Sequence, residues 1–190
     1  MRFANAALIV WLLLTGCSSV TSTAQLGEPV AAEDAKKLEG VWLTSDGEPM
    51  WVRHVQENEL RVAGIEWHES KFRLAEFVAF ITEDEDRQYV NVVDTDEQGE
   101  KPTYCFLRIA RQDEEYLLLS LPHAESFAKA VEEGKLSGNV TKKDNRLTVR
   151  LNSPAEKLRE FVTPSKVAEQ FDFDSSEVFR RVRRFDENKQ

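Results

Sequence analysis

The sequence predicts a mainly β fold of the α+β type: an antiparallel meander of eight to ten strands closing into a barrel, with two or three short helices inserted before the last strand. Three observations predict it. Runs rich in Val, Ile, Phe, Tyr and Trp recur from residue 41 to residue 121 with polar turn residues between them. The connections are too short for crossovers, which implies antiparallel pairing. Helical periodicity enters only after residue 123. A sheet of that size removes its exposed edges by closing on itself. The chain has 190 residues, 41% hydrophobic, enough for one core without disulfide staples. Its net charge of −9 argues against a nucleic-acid partner, which would need a positive footprint.

Taken in order, Arg2 is a positive start and Ala6 to Leu14 an unbroken apolar run. As a helix the run would cover roughly 13 Å, under half of a bilayer's hydrocarbon core. Residues 1–16 therefore read as a secretory signal. Residues 17–35 are small, polar and aperiodic, the composition of a flexible tether. Residues 36–190 form the single β-rich globular domain. Its expected strands are Val41–Thr44, Met50–Gln56, Glu59–Trp67, Lys71–Thr82, Arg87–Asp94, Thr103–Arg111 and Glu115–Leu121. Ala124, Phe127, Ala128 and Val131 share one helix face, and Gly134 is placed to end that helix. A hairpin follows, Asn139–Lys143 with Arg146–Leu151. Ser153-Pro154-Ala155-Glu156 has the pattern of a capping box opening a helix that buries Leu158, Phe161 and Val162. Thr163-Pro164 breaks and restarts it, and Glu177–Phe185 is the final strand.

Leu14-Thr15-Gly16-Cys17 resembles the lipobox of bacterial lipoprotein precursors. The resemblance implies diacylglycerol on the Cys17 thiol, cleavage just before it and an acyl group on the new amine, with no other cofactor. Each buried CH₂ contributes about 0.8 kcal/mol, so two or three chains hold the protein on a membrane where one would not. Ser18, where an aspartate would favour inner-membrane retention, resembles the outer-membrane default, facing the periplasm. Cys105 is then the remaining thiol, a small hydrophobe on an expected strand.

Leu38-Glu39-Gly40-Val41-Trp42 resembles the first strand of lipocalins and related calycin barrels, with its Gly-x-Trp signature at Gly40 and Trp42. The resemblance implies that an arginine of the last strand, Arg180, Arg181 or Arg183, packs over Trp42. Trp51, Trp67, Phe72, Phe77 and Phe80 are candidates to line an apolar pocket, or to fill the core. Together with Ser153-Pro154 and Leu158-Arg159-x-Phe161, the Leu38-x-Gly40-x-Trp42 segment also resembles small bacterial lipoproteins of unassigned activity.

Other groupings point to no chemistry. His54, His68 and His123 lack a second ligand at metal spacing. Asp94-Thr95-Asp96-Glu97-Gln98-Gly99 begins like a calcium loop, but Cys105 stands where the twelfth-position glutamate should be. No nucleophile motif or phosphate loop is present. The expected function is a non-enzymatic, lipid-anchored cell-envelope domain that binds an apolar ligand or an envelope component. The alternatives are a protein interaction module without a cavity and, third, an enzyme whose site is not visible in sequence.

Overall fold

In a computed structural model, residues 18–68, 71–94, 102–144 and 146–184 are described. The strands are β1 (Ser19–Ser22), β2 (Glu28–Pro29), β3 (Gly40–Leu43), β4 (Pro49–Gln56), β5 (Glu59–His68), β6 (Lys71–Asp84), β7 (Arg87–Asp94), β8 (Thr103–Gln112), β9 (Tyr116–Pro122), β10 (Gly138–Lys143), β11 (Arg146–Leu151) and β12 (Phe171–Arg183). The helices are α1 (Ala32–Lys36), α2 (Ala124–Glu132), α3 (Ala155–Phe161) and α4 (Val167–Gln170), with a 3₁₀ turn at Pro164–Lys166.

Eight strands close the barrel in the order β8-β7-β6-β5-β4-β3-β12-β9, and β9 pairs back onto β8. Two-residue connections join β4 to β5 and β6 to β7, with Glu57 at φ 46° and Glu85 at φ 57°, the positive values tight hairpins demand. Alternation then aims one residue in two inward: Met50 and Val52, Leu60 and Val62, Phe77, Ala79 and Ile81, Val90 and Val92.

β8 is where the sheet forks. One of its edges pairs with β1 at Tyr104 and Cys105, and with β9 from Arg108 to Gln112. Beyond β1 run β11, parallel to it, and then β10, making a three-stranded wing. Wing and helices pack on the outer face of β7 and β8, where Tyr89 and Phe106 meet Phe127 of α2, Val149 of β11, Leu158 of α3 and Phe171. The molecule thus has two cores, one inside the barrel and one outside it.

Three expectations are corrected. The described part of the expected tether is folded: β1, β2 and α1 lie within it, and Val20, Leu26, Val30 and Ala35 are buried. Polar composition hid four apolar anchors at irregular spacing, and a buried amide holds the backbone between them. Leu26 N donates to Asn91 Oδ1 at 2.8 Å, Asn91 Nδ2 donates to Leu26 O at 3.3 Å and to Thr82 Oγ1 at 2.8 Å, and the Thr82 hydroxyl donates to Leu26 O. Gly27, at φ 94°, passes so close to β6 that a Cβ would lie 2.8 Å from Glu83 O. The capping box does not form either. Pro154 is the N-cap of α3, and the Ser153 hydroxyl accepts from Ser137 N at 2.7 Å, tying α3 to the start of the wing instead. The final strand starts earlier than expected, at Phe171, because a register shift between Asp172 and Glu177 lets it continue past an irregular stretch. Gly134, at φ 71°, does end α2.

Candidate functional site

The barrel interior is lined by hydrocarbon and aromatic side chains, among them Trp42, Met50, Leu60, Phe77, Val92 and Phe179, around a space of about 60 Å³. Among the described residues that line it, no side chain carries a charge. Such a lining can hold an apolar group by exclusion of water and by dispersion, and offers nothing to orient a polar one.

Its floor is built at the crossing of the first and last barrel strands. Trp42, on β3, is buried and its indole Nε1 donates to Leu38 O at 2.9 Å, so the ring brings no unpaired polar atom into the core. Of the arginines on β12, Arg181 is the one over it, with the guanidinium carbon 4.2 Å from the ring centroid. Its Nη2 donates to Lys37 O at 2.5 Å, while Nε and Nη1, also buried, make no hydrogen bond. Burial lowers the pKa of Arg181 from its ordinary value, and Arg184 nearby acts in the same direction. Arg180 is exposed, and the side chain of Arg183 lies outside the described residues.

Of the aromatic residues proposed for the pocket, the structure brings Phe77 to the wall beside Trp42. Trp51, Phe72 and Phe80 are corrected, because strand alternation turns them outward. Trp51 sits between inward-facing Met50 and Val52, and Phe80 between inward-facing Ala79 and Ile81, where it meets Tyr104 edge-on at 6.2 Å. Phe72 stands 75% exposed near the tip of the β5–β6 hairpin, with Leu74 at 66% and Ile65 also exposed. Trp67 pairs with Phe72 through the backbone, and its side chain lies outside the described residues. So do Leu14, Thr15, Gly16 and Cys17, the signal segment, and the candidate calcium loop after Asp94.

Cys105 is a buried thiol. His54 Nε2 lies 2.8 Å from Glu57 O, and His123 Nδ1 3.3 Å from Ser126 Oγ. Among the described residues, no three His, Cys, Asp or Glu side chains are grouped to hold a metal, and no helix is long and apolar enough to cross a membrane.

Two features carry no single-residue signature. In the outer core, Arg87 is buried, donates to Val162 O at 2.7 Å and pairs with Asp84 at 2.6 Å, locking the end of α3 to the β6–β7 turn. On the outward face of the wing, Thr141, Lys143, Asp144, Arg146, Thr148 and Arg150 line an open recess of about 540 Å³. The alternation of Arg146, Thr148 and Arg150 was the available signal for that face.

A small closed antiparallel barrel of lipocalin-like form is the class that fold and interior define. Compared with known proteins, the chain matches no family model, no curated protein and no solved structure.

Proposed function

We propose that the chain is a lipid-anchored, non-enzymatic binding domain of the bacterial cell envelope, acylated at Cys17, facing the periplasm from the outer membrane and binding an apolar group. The binding part rests on one observation, a barrel interior walled by uncharged, apolar side chains. The volume limits the ligand. About 60 Å³ accepts a small hydrocarbon or the end of a chain, whereas pockets for drug-sized ligands run to roughly 300–1,000 Å³.

The test is mass spectrometry of an organic extract of the purified chain, with thermal unfolding in the presence of short-chain alkanes and fatty acids. A retained apolar molecule and a raised Tm support the reading. A clean extract and an unchanged Tm overturn the ligand and leave the interaction module, which the exposed Phe72, Leu74 and Ile65 favour. Replacing Cys17 with Ala separately tests the anchor: acyl labelling is lost and the protein leaves the membrane fraction.

A further inference from the structure

The folded state of residues 18–35 changes what an anchor at Cys17 would do. Ser18 is not at the far end of a leash: its Oγ accepts from Leu147 N at 3.2 Å, and Ser19 next to it pairs with Thr148. An acyl group on residue 17 is one peptide bond from that contact, about 3.8 Å between consecutive Cα atoms. The bilayer surface would therefore lie against the wing, with no slack between. Because β1 and β11 are parallel, both start at the same end, and the β10–β11 turn is at that end too.

The charge of the wing is opposite to that of the molecule. Gly138 to Leu151 holds four bases, Lys142, Lys143, Arg146 and Arg150, against one acid, Asp144, a net of +3 on a chain of −9. All four bases are exposed, and three of them line the recess together with the hydroxyl-bearing Thr141 and Thr148. Hydroxyls and bases in one concavity suit a lipid phosphate, and their net positive charge stands out on a chain that is acidic as a whole.

We propose that the outward face of the β10–β11 hairpin docks on the headgroups of anionic lipids and so fixes which side of the barrel faces the membrane. This rests on the anchored reading given above. The test uses the full acylated chain in vesicles of phosphatidylcholine with or without phosphatidylglycerol, reading lysine acetylation by mass spectrometry. Lys143 should react about fivefold or more slowly on the anionic vesicles, the scale expected per base near a charged surface. High salt should remove that protection, and Lys71, at the tip of the β5–β6 hairpin, should react alike on both. In the Arg146→Glu/Arg150→Glu variant, Lys143 should lose its protection while the vesicle-bound fraction is unchanged.

Equal rates on both vesicle types in a chain that floats with them overturn the docking face and leave the anchor standing. A wild-type chain that does not float with vesicles overturns the anchor and the docking face together. Protection that arises only when envelope proteins are added makes the hairpin a protein interface and overturns the lipid assignment.

Discussion

The two cores share strands β7 and β8 but are built on different physics. Inside the barrel, aliphatic residues and a few aromatics meet with no charged group among them. Outside it, rings stack edge to face, Phe106 with Phe127 at 5.5 Å and Phe127 with Phe161 at 5.3 Å, and buried polar groups thread between them. Asn91, Thr82 and Arg87 each hold a backbone carbonyl of a segment distant in sequence. Dispersion contacts tolerate rearrangement, whereas a buried hydrogen bond has one good geometry and a high cost if unmade. The inner core can therefore adjust to a guest, and the outer one specifies how the N-terminal segment, wing and helices sit.

The strongest challenge to this contrast is Phe127→Ala, which should cost about 3–5 kcal/mol in urea unfolding. Because β8 serves both cores, fluorescence and far-UV circular dichroism should report one coincident transition; two transitions would make the cores independent. Next is the alkaline limb. Burial pushes the Tyr89 pKa up to about 12, and its hydroxyl makes no hydrogen bond. Below pH 10 the phenol is neutral in both states and contributes no pH dependence. Between pH 10 and 12 the unfolded chain loses this proton first, so stability falls by about 2–3 kcal/mol across that window. Tyr89→Phe should flatten the fall and leave stability at pH 7 equal or higher; a loss there above about 1 kcal/mol would reveal a missing partner.

Asn91→Ala should cost about 1–3 kcal/mol by stranding the Leu26 N–H, while the Leu26 carbonyl keeps the Thr82 hydroxyl. Hydrogen exchange should localise the loosening to residues near Leu26, with the β4–β5 ladder unchanged. Smallest is Arg181→Ala, about 0.5–2 kcal/mol from loss of the guanidinium on Trp42. It should appear as a red-shifted, more quenchable tryptophan emission.

The barrel was legible because period two is a local signal: Arg87–Asp94 and Arg146–Leu151 have the bounds read from sequence. The same rule, followed further, would have placed Trp51 and Phe80 outside, since their neighbours Met50, Val52, Ala79 and Ile81 are the inward set. What stayed hidden was non-local. Nothing in Ser19-Val20-Thr21-Ser22 shows a strand, because its partners stand more than a hundred residues away in β11 and some eighty away in β8. The Ser153 hydroxyl was read as a helix cap for the same reason: its partner Ser137 is invisible from the local pattern.

That long-range pairing bears on the order in which the chain can fold. β1 opens the described chain, yet beyond its short pairing with β8 it has no wing partner until Thr148 to Leu151 have been made. A chain made from its N-terminus would keep the wing edge of β1 unpaired through most of its synthesis, since ladders closed over such separations form slowly. The wing is thus the part of the sheet that waits longest for its partners, although one of its three strands comes first in the described chain.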